Sequence, residues 1–324
     1  MRSRTEAMRA AILCGAAGLA LAVMAAAGSA QEYPLKPIRF VVGPGPDALA
    51  RAVSQKLTDA WGQQIVIDQR PGAGGSIAAD IVAKARGDGY TLLLATGSHT
   101  INAALQKQSY DLIQDFSAVS LVGSVPFILV VHPSLPVYSV KELVALARAK
   151  PGELNYGSAG NGTPPHLAGE MLKTLTGIKL VHVPYKTAAQ AMVDVLSGQP
   201  QLMFAVAPVG LPQVKAGRVR GIAVSTAQRS RMAPDLPTVA ESGVPGFDVI
   251  GWNGVLAPAG TPPAVVKKLH SGLDSALKLP DVVTRLAATG FEPVGSTPEA
   301  FAAFVRTDIA RWTRVIREAG VKMD

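Results

Sequence analysis

The sequence predicts an α/β protein of two lobes, in which largely parallel strands are covered by helices. Beyond the first thirty residues, short runs rich in β-branched side chains alternate with amphipathic helical stretches, a pattern typical of parallel sheets with helices on both faces. The chain has 324 residues. That is long for one compact core and suits two units of roughly 100–150 residues each.

The first thirty residues have the pattern of an export signal. Three arginines precede an apolar, alanine-rich run over residues 10–27, and small residues end the segment at Ala30. The run is shorter than the roughly 20 apolar residues that a membrane-spanning helix needs. We therefore expect cleavage near Ala30 and a periplasmic mature chain. Cleavage would remove Cys14, the chain's single cysteine, and with it any disulfide, thiolate metal site or cysteine nucleophile.

Eight short runs in the remaining chain are candidate strands. They span residues 38–42, 65–67, 91–95, 127–131, 154–156, 180–183, 201–204 and 221–225. Helical apolar spacing fills the gaps between them and continues to the C-terminus over 265–277 and 301–316. Ser139, with Glu142 three residues later, forms a capping box that predicts a helix start after the strand at 127–131.

Three strand-to-helix junctions are rich in Gly, Ser and Thr: residues 43–47, 96–99 and 157–163. In open parallel sheets, ligands bind beyond the carboxyl ends of the strands, facing unpaired helix amides. Glycines allow close backbone approach, and hydroxyls and amides supply neutral donors that suit a carboxylate. In the alternative interpretation the polar residues only cap helices and the glycines only make turns. Three such junctions together favour a binding site.

Other motifs point away from nucleotide, metal or nucleic-acid chemistry. Residues 43–48 imitate a dinucleotide fingerprint, but two prolines there remove amides that a pyrophosphate would use. Residues 70–76 lack the Gly-Lys-Ser/Thr ending of a phosphate loop, and 157–160 lack the glycine of a nucleophile elbow. The five histidines show no helical pairing for a metal. We expect no cofactor and no metal.

Charge and histidine placement narrow the ligand class. The net charge of +8 is spread without a basic run, and aromatic residues make up only 5% of the chain, so a nucleic-acid partner is not expected. A mildly positive field favours anionic ligands. His99 and His166 each stand at a helix start within a candidate loop, where a capping role and a ligand contact both remain open. The other three histidines are interpreted as structural or surface residues.

Nine segments, in this order, resemble the Bug family, the solute receptors of tripartite tricarboxylate transporters. They are YPLKPIR (33–39), QRPGAGG (69–75), DGYTLL (88–93), VVHPSLP (130–136), LNYGSAGNGT (154–163), HLAGE (166–170), HVPYK (182–186), DLPTVAE (235–241) and LAPAGTP (256–262). The resemblance runs from residue 33 to the end of the chain. Each segment alone is a weak signal, whereas nine in family order are specific.

The resemblance implies a two-lobed, flytrap-type periplasmic binding protein. We expect lobe one to comprise residues 31–129 and 250–324, lobe two to comprise 130–249, and crossings near 127–133 and 247–258. The implied role is capture of a small organic acid and its delivery to the transporter's membrane subunits by a monomeric receptor. The implied ligand-contacting residues are Thr96, Ser98 and His99 on lobe one, and Ser158, Asn161, Gly162, Thr163 and His166 on lobe two.

Two departures from the family pattern fall at the expected site. The first loop, which includes Gly45, reaches Asp47 about four residues earlier than usual. The family often places an aspartate directly after the phenylalanine of the 202–204 strand, where this chain has Ala205. Loss of that carboxylate disfavours an amino-acid ligand and leads us to hypothesise a monocarboxylate with an aliphatic or aromatic body. A sensor receptor and an exported hydrolase using Ser98 or Ser158 remain alternatives.

Overall fold

The structure, a computed structural model, describes residues 33–43 and 48–320. The predicted signal segment therefore lies outside the described residues. The strands are β1 (Ile38–Val42), β2 (Ile65–Gln69), β3 (Thr91–Thr96), β4 (Phe116–Val131), β5 (Asn155–Ser158), β6 (Val181–Pro184), β7 (Leu202–Val206), β8 (Arg220–Val224), β9 (Ile250–Pro258) and β10 (Glu292–Pro293). The helices are α1 (Ala48–Trp61), α2 (Ser76–Ala83), α3 (Gly97–Leu105), α4 (Val140–Ala149), α5 (Pro164–Thr176), α6 (Ala188–Leu196), α7 (Ala207–Lys215), α8 (Pro263–Leu277), α9 (Pro280–Ala288) and α10 (Pro298–Ala319).

The strands follow the order β2-β1-β3-β9-β4-β7-β5-β6, with β8 and β10 also paired to β4. The outer groups β2-β1-β3 and β7-β5-β6 are parallel, as expected. The central strands β4 and β9 run antiparallel to their partners, so the sheet as a whole is mixed. The α/β class is confirmed, and helices alternate with strands along most of the chain.

Strand β4 runs through two groups of strands, which we call the two halves of the fold. One half contains β2, β1, β3, β9 and β10, and the other contains β7, β5, β6 and β8. Its first part, up to Pro126, pairs with β9, and its second part, from Phe127, pairs with β7 and β8. Ser225 fixes the change of partner: its backbone N–H donates to Phe127 O (2.9 Å), and its hydroxyl donates to Val249 O (2.5 Å). The chain thus passes between the halves at 126–127 and again at 249–250.

Each half has its own hydrophobic cluster. One contains Val41, Leu93 and Leu256, and another contains Leu129, Leu172 and Phe204. Helix α10 contributes to both. Phe301 and Val305 pack in the first cluster, and Trp312, Val315 and Ile316 pack in the second. The C-terminal half of this helix therefore packs on the core that the sequence assigned to lobe two.

The eight predicted strands are all present; apart from the start of β4, their ends lie within about two residues of the predicted ones. The predicted helix start is confirmed, since Ser139 Oγ accepts from the Glu142 amide (3.2 Å) and α4 begins at Val140. The Glu142 carboxylate accepts from the Tyr138 amide (2.5 Å), so the second bond of a capping box goes to the residue before Ser139. Strands β9 and β10 and the first part of β4 were missed. Within the described residues, no helix is both long and apolar enough to span a membrane.

Candidate functional site

The starts of α3 and α5 lie against each other. Helix α3 begins at Gly97, directly after β3, and α5 begins at Pro164, after the loop that follows β5. A Cβ atom at Gly97 would lie 3.6 Å from Pro164 Cγ and 3.4 Å from Trp252 Nε1. The positive ends of two helix dipoles therefore meet, which favours an anion. The fold brings together the 96–99 and 158–166 loops, which the sequence assigned to different lobes.

On the α3 side, Thr96 and His99 form a reciprocal capping box. The Thr96 amide donates to His99 Nδ1 (3.0 Å), and Thr96 Oγ1 lies 3.2 Å from the same nitrogen. The His99 ring is fully buried against Gly75, where a Cβ would lie 2.7 Å from Nε2. Burial lowers the pKa of His99 to about 4, so the ring is neutral at pH 7. Ser98 is half-buried in the first turn of the helix.

On the α5 side, the loop after β5 is held by its own polar groups. Ser158 is fully buried, its Oγ accepts from the Gly160 amide (3.0 Å), and this oxygen lies 2.6 Å from His182 Nε2. Thr163 Oγ1 donates to Gly160 O (2.7 Å). Gly162 adopts a left-handed φ of 70°. These bonds hold the loop in the conformation described.

The His166 side chain completes this loop from within α5. Its Nδ1 accepts from the Gly162 amide (3.1 Å), and the side chain is buried. Asn161 lies at the exposed tip of the loop. His166 therefore accepts a hydrogen bond from the loop backbone, just as His99 accepts one from the Thr96 amide at the start of α3.

A stack of three rings supports the loop beneath its surface. The His166 and His182 rings are 4.0 Å apart, and Tyr156 lies 4.9 Å from His182. The Tyr156 hydroxyl donates to Glu170 Oε1 (2.6 Å), and Lys173 pairs with the same carboxylate (2.8 Å). Burial lowers the pKa of both histidines to about 4 and, together with the Glu170 charge, raises the pKa of Tyr156 well above its usual value.

His182 and Glu170 were not predicted as parts of the site. His182 reaches it because β5 and β6 are parallel with Tyr156 opposite His182, a register that the sequence alone does not give. Glu170 did carry a signal, since it follows His166 by four residues and thus shares its helix face. Within residues 33–43 and 48–320, no group of three or more His, Cys, Asp or Glu side chains could hold a metal ion.

The two helix starts differ in the donors they offer. Helix α5 has Pro164 and Pro165 at its first two positions, and neither residue has an amide hydrogen. Helix α3 begins with Gly97 and Ser98, which both have one, while the His99 amide donates to the Thr96 side chain within the capping box. The start of α3 therefore offers two backbone N–H donors at positions where α5 offers none.

Three predicted residues remain: Gly45, Asp47 and Ala205. Gly45 and Asp47 are outside the described residues. Ala205 is fully buried in β7, and a Cβ at Gly210 in α7 would lie 2.9 Å from its methyl group. The Ala205 side chain thus faces α7.

An open groove of about 440 Å³ lies beyond the end of β6, lined in part by Tyr185, Lys186 and Asp194. It borders the 158–163 loop, since the Tyr185 amide donates to Ser158 O (3.1 Å). Burial and the Asp194 carboxylate raise the pKa of Tyr185 to about 12, so its phenol stays protonated.

Two sheet-and-helix halves joined through β4, with helix starts converging between them, define the class of two-lobed periplasmic binding proteins. A structure of Rpa4515 from R. palustris with adipate is 37% identical, covers 90% of this chain and 99% of its own, and superposes with a TM-score of 0.79. MatC from Rhodopseudomonas palustris with bound malate is 30% identical, with coverages of 88% and 100% and a TM-score of 0.75. Protein BugT of Bordetella pertussis is 36% identical over 312 residues, 94% of this chain and 96% of its own.

Residues 49–321 match the tripartite tricarboxylate transporter family receptor. The chain belongs to this family, which confirms the resemblance seen in the nine sequence segments. It is a solute-binding receptor.

Proposed function

We propose that this chain captures a small organic acid in the periplasm and presents it to the membrane subunits of a tripartite transporter. The main observation that supports this proposal is that α3 and α5 begin next to each other, where Gly97 lies against Pro164. Two helix N-termini and the hydroxyl-rich loops beside them suit a carboxylate. The adipate and malate bound by Rpa4515 and MatC support the same ligand class.

The ligand that we propose is a carboxylate with an aliphatic body. Adipate, bound by the 37% identical Rpa4515, has such a body between two carboxylates. Ala205 prompted the narrower hypothesis of a monocarboxylate, but its methyl group faces α7 and gives no reason to exclude a second carboxylate. The proposed contacts are Thr96 and Ser98 on the α3 side and Asn161 and Thr163 on the α5 side, with His99, Ser158, Gly162 and His166 holding the loops.

We propose further that the chain is exported, loses its signal near Ala30 and works as a monomer. The lobes would be 31–129 with 250–324, and 130–249, with α10 packed on both cores. Mass spectrometry of the protein from periplasmic extracts and light scattering of the purified receptor test these points. An uncleaved chain, or a stable dimer, would contradict them.

A hydrolytic role has one observation in its favour, the Ser158–His182 pair with Oγ and Nε2 2.6 Å apart. Against it, Ser158 is fully buried and its oxygen already accepts from the Gly160 amide. We therefore propose a structural role for the pair. Hydrolysis of p-nitrophenyl acetate that is abolished in Ser158→Ala but retained in Ser134→Ala would instead support an enzyme.

Thermal unfolding and calorimetry of the purified receptor with a ligand panel test the binding proposal. Adipate, malate, hexanoate and benzoate are compared with adipamide, which keeps the length of adipate but has no charge. Bound acid stabilises the folded state by mass action, by about 2.7 kcal/mol at 100 times Kd. Stabilisation by an aliphatic acid and none by adipamide is the expected result. Equal effects of adipate and adipamide, or no effect of any acid, would contradict the proposal.

A further inference from the structure

A buried carboxylate lies midway along α10, between the two hydrophobic clusters. Phe301 and Val305 precede it in one cluster, and Trp312 follows it in the other. Asp308 itself is only 2% exposed. A charge in that position is costly unless donors from its surroundings satisfy it.

Asp308 accepts hydrogen bonds from three different elements. Thr100 of α3 donates to its Oδ2 (2.6 Å), and the Trp252 indole of β9 donates to the same oxygen (3.0 Å). The guanidinium of Arg311, one turn further along α10, pairs with Oδ1. The carboxylate thereby fastens α3 and β9 to α10.

The three residues that donate to Asp308 lie close to the start of α3 or to the crossing between the halves. Thr100 is in the first turn of α3, and its hydroxyl also lies 2.9 Å from the carbonyl oxygen of Gly97. Trp252 Nε1 lies 3.4 Å from where a Cβ at Gly97 would be, so the indole supports the residue that opens the helix. Arg311 also donates to Asp248 O (2.7 Å), just before the chain enters β9. Asp308 thus connects the first turn of α3 with the crossing between the halves.

We propose that Asp308 is a positioning residue that fixes the amide donors at the start of α3 relative to β9 and α10. It contacts no ligand itself. The ligand part of this inference rests on the proposed function, because the amide donors of Gly97 and Ser98 are those we assign to a carboxylate. The positioning part rests only on contacts within the protein.

Each of two substitutions removes one hydrogen bond to Asp308 and leaves its ion pair with Arg311 in place. Thr100→Val removes a hydroxyl and keeps the β-branched shape, and Trp252→Phe removes the indole N–H and keeps an aromatic ring facing Phe301. Thr307→Val is the matched control, because Thr307 is on an exposed face of α10 and its hydroxyl bonds only within that helix.

Hydrogen–deuterium exchange of the ligand-free protein is read over residues 97–105, with adipate affinity measured in parallel. We expect exchange in this segment to rise roughly three- to tenfold in both variants and to stay unchanged in Thr307→Val, because local opening becomes easier. Adipate Kd should rise by a similar factor. Unaltered exchange at 97–105, or exchange that rises equally throughout the chain, would overturn the proposal. Faster local exchange in a protein whose wild type binds no acid would uphold the positioning role and refute the proposed function.

Discussion

Ser158→Ala tests whether the loop that follows β5 is held by buried hydrogen bonds. The substitution removes an oxygen that accepts from the Gly160 amide and lies 2.6 Å from His182 Nε2. Each such bond contributes about 1 kcal/mol, and a buried donor left unpaired costs about 1–3 kcal/mol. A loss of ~2 kcal/mol in the free energy of unfolding is therefore expected. At roughly 2–4 °C per kcal/mol for a chain of this size, Tm should fall by ~4–8 °C.

A second serine–histidine pair provides the control. Ser134 Oγ lies 2.7 Å from His132 Nδ1, but this serine is exposed, so water replaces the lost partner. Ser134→Ala should change stability by less than about 0.5 kcal/mol. Urea denaturation and thermal scans of both variants measure the difference. Equal losses in the two variants would refute the reasoning that burial makes the Ser158 hydrogen bonds matter.

Two further predictions concern pH and the contact between the helix starts. Because His99, His166 and His182 have folded-state pKa values of about 4, below the unfolded value of 6.5, the unfolded state binds more protons between these values. Stability should therefore fall as pH drops from 6.5 to 4, and a flat urea midpoint over that range would contradict this. The branched side chain of Gly97→Val should clash with Pro164 and raise the Kd for adipate at least about tenfold. The single methyl group of Gly97→Ala makes only ordinary van der Waals contacts, so this variant should bind adipate nearly as well as the wild type.

Local patterns predicted the parts of the fold that depend on local interactions. The eight runs of β-branched residues and the Ser139 cap are satisfied within a few residues of chain, so their signals are in the sequence. Strand β9 carries Gly251 and Gly254, which have low strand propensity. A Cβ at Gly254 would collide with Phe301 of α10, so this glycine is required by a partner 47 residues away in sequence. Only the tertiary structure reveals such a requirement.

The candidate site also has parts that local sequence predicts and parts that depend on tertiary structure. Its loops were predictable because glycines and hydroxyls at strand ends are a local signal. The groups beneath the loops could not be predicted. His182 lies there because of the register between β5 and β6, and Asp308 lies there because α10 packs on both hydrophobic clusters. Trp252 was missed for the same reason, since its strand was missed.

The unequal donor sets of the two helix starts bear on the ligand that we propose. A carboxylate bound at α3 can use the backbone amides of Gly97 and Ser98, whereas Pro164 and Pro165 remove the corresponding donors from α5. The α5 side must then rely on side chains, chiefly Thr163 and Asn161, and on its helix dipole. Such a division suits one firmly held carboxylate on α3 and a more tolerant contact on α5.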